Sequence, residues 1–194
     1  MATTGIAANL LTLGRTFHSC LKAPLTATED STLSISAQSQ LAQLIRMSKL
    51  LLIDESTMLN RYMLEALDRT LRDIMGEAYS VFGNKILLLA GDFRQCLPVV
   101  PNASRAGIVA QCINQSPLWK NFKILRLSEN MRVQASNDQV LKNFDRWTLS
   151  LGNGEAEQVS IPDEMISTKI IPNTKDNMSS EGQSMERFIG EQHS

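Results

Sequence analysis

No stretch of this sequence repeats another, and no apolar run approaches the roughly 18 residues a bilayer-crossing helix needs. A membrane-spanning helix is therefore not expected. Cysteine is scarce: Cys20, Cys96 and Cys112 lie far apart and form no CxxC pair. That spacing argues against a zinc site or a disulfide framework and fits a reducing, intracellular compartment. The opening residues MATTGIAANLL carry no basic leader before their apolar positions, so a signal peptide is not expected. An excess of one charge is missing too. Lys plus Arg is 19 against 20 for Asp plus Glu. A nucleic-acid surface would have to be a local stripe, because counterion release rewards cations placed near phosphates and not net charge.

What is present is ordinary for a globular domain, with 43% hydrophobic and 20% charged residues in a chain of 194, long enough for one real core. Two short apolar runs end in polar clusters: Leu50–Ile53 before Asp54-Glu55, and Ile86–Ala90 before Gly91-Asp92. A weaker third, Ile124–Leu127, ends at Ser128-Glu129-Asn130. Continuous apolar character predicts parallel strands covered on both faces by helices.

Helical patterns fall between them. Leu59, Met63, Leu67 and Leu71 step by four, widened by Leu64 and Met75. Leu41, Leu44 and Ile45 predict another helix with Ser34 or Ser36 as cap, and Ile108, Val109, Cys112 and Ile113 a third, ended by Pro117. Val140, Leu141, Phe144, Thr148 and Leu151 predict a fourth, capped by Ser136 and stopped at Gly152-Asn153-Gly154. The alternation implies an α/β domain over residues 1–154 whose ligands sit at the carboxyl ends of the strands, where the polar clusters fall. Residues 155–171 read as an extension, and 172–194, poor in apolar residues, as a disordered tail.

The first cluster, Leu50-Leu51-Leu52-Ile53-Asp54-Glu55, has the form of a Walker B segment. A strand end there presents Asp54 to magnesium, and Glu55 can polarise the water that attacks a γ-phosphate. A solvated acidic turn is the plain alternative. In the second, Gly91-Asp92-Phe93-Arg94-Gln95, glycine permits a close turn and the Gln95 amide can bond a phosphate oxygen and a water. Its alternative is a tight turn with Arg94 paired to Asp92. In the third, Arg132 has the fork geometry for phosphate oxygens, against the commoner fate of a solvated surface arginine.

Taken in order, these stretches resemble the PIF-type (petite integration frequency) DNA helicases, superfamily-one 5′-to-3′ motors, and particularly their transposon-associated Helitron-like branch. The resemblance rests on Thr3-Thr4-Gly5-Ile6-Ala7-Ala8 with Gly14-Arg15-Thr16-Phe17-His18-Ser19 (motif Ia) and on Ile53-Asp54-Glu55 with Met58-Leu59 (motif II). It continues in Gly91–Gln95 with Leu97-Pro98-Val99 (motif III) and in Asn130-Met131-Arg132 (motif IV). Leu64–Ile74 and Ser116-Pro117-Leu118-Trp119 are also similar, and the likeness runs from Ala2 to about Pro162. It implies a RecA-like motor domain of the P-loop NTPase type, with ATP as substrate and Mg2+ as cofactor. Asp54 would hold the metal, Glu55 act as catalytic base, Gln95 sense the γ-phosphate and Arg132 contact it. Thr4, Gly5 and His18 would lie near a track for single-stranded or forked DNA, although a histidine in such a place is equally a structural residue. A role in the nucleus, with the mitochondrion as a second site, in repair, recombination or telomere maintenance belongs to the same implication.

The departures matter as much. The family opens with a strand and a GxxxxGK[ST] phosphate loop, and these 194 residues hold no such segment. The RecA-like sheet is then expected to be incomplete, with unpaired backbone and an exposed apolar face where the first strand would be central. Ser56 stands where the family usually has an aliphatic residue or alanine, and nothing after Ile171 resembles the second motor domain. Three readings follow: a helicase fragment inactive alone, which is preferred; a non-catalytic module binding single-stranded DNA or a partner; and an ATPase borrowing another chain's phosphate loop.

Overall fold

Apolar residues stepping by four, opened by an asparagine cap and closed by a glycine, make the longest helix among the described residues. The computed structural model describes residues 1–95, 97–134 and 138–155, with Arg132 and Gln134 in backbone only. They divide into two compact units, Met1–Ser128 and the part of the second unit from Glu129 to Glu155.

In the first unit the helices are α1 (Gly5–Asn9), α2 (Phe17–Leu21), α3 (Gln40–Met47), α4 (Arg61–Met75) and α5 (Arg105–Ala110). The strands β1 (Leu50–Ile53) and β2 (Ile86–Leu89) pair in parallel, Leu50 beside Ile86 and Ile53 beside Leu89. Asn60 caps α4 by accepting from the Tyr62 N–H, and Gly76 ends it at φ 69°. Its inward stripe, Met63, Leu64, Leu67, Leu71 and Ile74, meets Leu51 and Ile53 of β1, Phe17 and Leu21 of α2, and Ile45 of α3. This is the main core. Residues 1–3 run beside β1 on the side away from β2: Ala2 bridges in parallel to both Asp54 and Thr16.

Several expectations need correction. The cap of α3 is Ser39, which accepts from the Ala42 N–H, and not Ser34 or Ser36. Helix α5 starts earlier than its apolar residues suggest, at the Ser104 cap, and stops at Ala110; Ile113 lies in a separate 3-10 turn. Ile124–Leu127 is not a strand. Leu125 is 73% and Leu127 100% exposed, and with no neighbouring strand to pair with among the described residues, apolar character alone cannot hold the segment in a ladder.

The strands also depart from the expected double cover. Leu51 and Ile53 are buried, whereas Leu50, Ile86 and Leu88, on the opposite face, stay 47%, 66% and 44% exposed. Among the described residues β2 pairs only with β1. The incomplete sheet, with an apolar face left open, is thus as the resemblance implies.

In the second unit, α6 (Met131–Gln134) is followed by α7 (Gln139–Gly152). Asp138 caps α7, accepting from the Val140 and Leu141 N–H groups, and Gly154 follows its end at φ 72°. Asp138 takes the place given to Ser136, which lies outside the described residues, as do most of the extension and the whole tail.

Candidate functional site

The ends of β1 and β2 converge because parallel strands in register deliver their following turns to the same edge. Four hydrogen bonds join these turns, the longest from the Thr57 hydroxyl to the Asp92 carbonyl at 3.5 Å. The Ser56 N–H and Ser56 Oγ both donate to the Ala90 carbonyl, at 2.8 and 2.9 Å, and the Ala90 N–H donates to the Ile53 carbonyl at 2.9 Å. Ser56 is therefore a clamp between the two clusters, a role its hydroxyl performs and an aliphatic residue would not.

Gly91 allows the approach. A Cβ there would stand 3.1 Å from Thr57 Cγ2 and 3.2 Å from the Ser56 and Thr57 nitrogens. Two of those neighbours are backbone and yield little. Gly91→Ala should cost about 1–3 kcal/mol, the range for forced overpacking, read as a lower urea midpoint at unchanged slope.

Asp54 and Glu55 are both half-buried. Asp54 Oδ1 accepts the Glu55 N–H at 3.0 Å, and its other oxygen has no hydrogen bond among the described residues. Glu55 has φ 52° and ψ 36°, the left-handed region, which costs a side-chain-bearing residue roughly 1–2 kcal/mol. Such strain persists only where surrounding contacts over-determine it. Here Thr3 Oγ1 donates to the Glu55 carbonyl at 2.7 Å and the Thr3 N–H to the Asp54 carbonyl at 3.1 Å.

No group of three or more His, Cys, Asp or Glu that could hold a metal occurs among the described residues. A single strand-end carboxylate with one open oxygen nevertheless fits magnesium, which is commonly held by one or two carboxylates while waters and substrate phosphates complete its shell.

At the second cluster, Arg94 is folded back on Asp92: Nε donates to Oδ1 at 2.9 Å and Nη2 to Oδ2 at 2.9 Å, and the Arg94 N–H also reaches Oδ1 at 2.9 Å. The alternative read for that pair holds. These hydrogen bonds lower the Asp92 pKa below its ordinary value, so the pair stands at neutral pH and is lost only as pH falls through that lowered value. Gln95 is exposed, its N–H donating to the Asp92 carbonyl at 3.0 Å, and its side chain has no hydrogen-bond partner among the described residues. Phe93 packs edge-on against Trp119 at 6.1 Å. Trp119 is placed by Ser116, whose buried hydroxyl donates to Glu65 of α4 at 2.9 Å.

Of the residues read as a DNA track, Thr4 caps α1 by accepting the Ala7 N–H at 3.1 Å. A Cβ on Gly5 would meet nothing within 4 Å, so nothing in the protein itself requires glycine there. His18 is half-buried on α2, its ring edge-on to Phe17 at 5.9 Å. Asp54 and Glu55 are thus bonded to Thr3, which Thr4 and Gly5 follow along the chain, and Gln95 follows the turn clamped by Ser56. Arg132 lies on α6 in the second unit, and its side chain is outside the described residues. Sequence reasoning missed Thr3 as a contact to Glu55 and Ser56 as a clamp. A hydroxyl directly after the acidic pair was the available signal for Ser56.

The fold has solved relatives. Bacteroides Pif1, in a crystal structure with ssDNA, is 25% identical with a TM-score of 0.66, over 80% of this chain and 36% of that one. Pif1 from Candida albicans is 24% identical with a TM-score of 0.55, over 84% of this chain and 34% of that one. The Bacteroides protein with ADP-AlF4 gives 23% and 0.59, over 80% and 36%. The chain therefore spans about a third of the length of these relatives. The likeness makes the sheet a RecA-like one, incomplete as described. No curated protein matches the chain. The description PIF1-like helicase fits residues 1–161, taking in both strand ends, the Thr3 segment and α7, and on that extent the chain belongs to the PIF1-like helicase family.

Proposed function

We propose that this chain supplies the metal- and water-positioning side of a helicase ATP site, and that its 194 residues alone do not turn ATP over. The observation carrying this reading is the clamped pair of strand ends: Ser56 bonded to Ala90 sets Asp54 and Glu55 beside the turn that bears Gln95. In this reading Asp54 holds Mg2+, which would neutralise phosphate charge when bound. Glu55 orients the attacking water and accepts its proton, Gln95 reports the state of the γ-phosphate, and Arg132 contacts it. Thr4, Gly5 and His18 face single-stranded or forked DNA, with 5′-to-3′ movement and a nuclear setting as for the family. The absence of a GxxxxGK[ST] segment from these residues supports the inactivity, since no loop cradles the phosphates.

The test is ATP turnover by the purified chain with Mg2+ and oligothymidylate. No turnover is expected, together with DNA affinity that weakens as salt rises. Turnover that disappears in Glu55→Gln would overturn the inactivity; salt-independent or undetectable DNA binding would remove the DNA track.

A further inference from the structure

One residue donates to both carbonyls of the acidic pair. Thr3 donates its N–H to the Asp54 carbonyl at 3.1 Å and its hydroxyl to the Glu55 carbonyl at 2.7 Å. Between those two contacts Glu55 is left-handed, at φ 52°. The Glu55 peptide is bracketed on its other side by Ser56, whose N–H and hydroxyl are fixed on Ala90. Thr3 is also the immediate neighbour of Thr4, whose side chain is committed to capping α1.

From this we infer that Thr3 is a positioning residue for Glu55: its hydroxyl holds the left-handed backbone that turns Glu55 out of the line of β1, and so sets the direction of the Glu55 carboxylate relative to Asp54. A strand continuing extended through Glu55 would send successive side chains to opposite faces of the sheet. The left-handed residue breaks that alternation at the site. The same contact makes the conformation of Glu55 depend on the segment leading into Thr4 and Gly5. The catalytic meaning rests on the proposed role of Glu55, whereas the holding itself does not.

The experiment uses the 194-residue chain and its amide exchange and carbon chemical shifts. Thr3→Val removes the hydroxyl and keeps the branched shape; Thr3→Ser keeps the hydroxyl. In Thr3→Val, the Glu55 shifts should leave left-handed values. The amides of Ser56 and Met58, the latter bonded to the same Glu55 carbonyl at 3.1 Å, should exchange about tenfold faster, as expected for one lost hydrogen bond. Thr3→Ser should restore both, with the amides of α4 unchanged throughout.

The pair is repeated on a Glu55→Gly background, where the left-handed backbone costs no Cβ contact and any loss of global stability is offset. There the effect of Thr3→Val should shrink to within about twofold. Left-handed Glu55 shifts surviving in Thr3→Val, or an equal acceleration with Gly at 55, would overturn the proposal and leave Thr3 as an ordinary structural contact. Failure of the catalytic reading shows elsewhere. It would appear if the chain, against the expectation of none, turned ATP over and Glu55→Gln left that turnover intact, with the shifts and exchange rates still as expected.

Discussion

Asp68→Ala lowers the unfolding free energy by about 3 kcal/mol, within the range for breaking a buried ion pair by removing one partner. Asp68 is 6% exposed on α4, and its carboxylate has two partners. Arg72, one turn on, meets Oδ2 at 2.8 Å, and the Phe82 N–H donates to Oδ1. Phe82 sits left-handed at φ 53° in the turn that leads into β2. Removing the carboxylate leaves the buried Phe82 N–H without its acceptor and a half-buried guanidinium without its counter-charge, and it frees the turn that sets where β2 begins. Asp68→Asn keeps an acceptor for Phe82 and loses the charge, so it should cost roughly half as much. Urea unfolding of the three proteins orders them. A cost for Ala no greater than for Asn would show that the turn does not depend on the carboxylate.

Leu67→Ala should cost about 3 kcal/mol as well, from the 2–5 kcal/mol typical of fully buried leucines. Leu67 has no exposed surface and lies in the core that α4 shares with β1, α2 and α3, elements whose positions other contacts also constrain, so the cavity can collapse only in part. Leu50→Ala is the control. Leu50 is 47% exposed on the open face of the sheet, and its truncation should stay within about 1 kcal/mol. Equal losses at the two positions would mean that the open face is covered in solution.

Both substitutions act on the platform beneath the site. Helix α4 carries Leu67 into the core it shares with β1, Asp68 against the turn before β2, and Glu65 against Ser116. Through Ser116 and Trp119 it also supports Phe93, two residues before Gln95. A loosened α4 should therefore blur the strand ends before it unfolds them.

Parallel strand type and helix stripe were open to reading because each is a local pattern. The four-residue stepping of Met63, Leu67 and Leu71 gives a buried face whatever it packs on, and the runs at Leu50 and Ile86 are short and apolar enough to read as strands rather than helices. Ile124–Leu127 carries the same kind of pattern and failed, because a strand needs a hydrogen-bonding neighbour as well as propensity. Helix caps went astray for a similar reason. Ser34, Ser36 and Ser39 are equivalent as residue types, and the start of α3 is decided by where Ala42 and Ile45 can reach the core.

The sequence by itself determined the α/β alternation, the acidic pair at a strand end and, through motifs in order, the family. Those are properties of residue type and spacing along the chain. Only the tertiary structure decided that Thr3 holds Glu55, that Ser56 clamps the turn of β2 and that Asp68 governs the turn at Phe82, with partners 52, 34 and 14 residues apart. A hydroxyl or carboxylate at such a distance finds its acceptor or donor only after the core has brought the strands together.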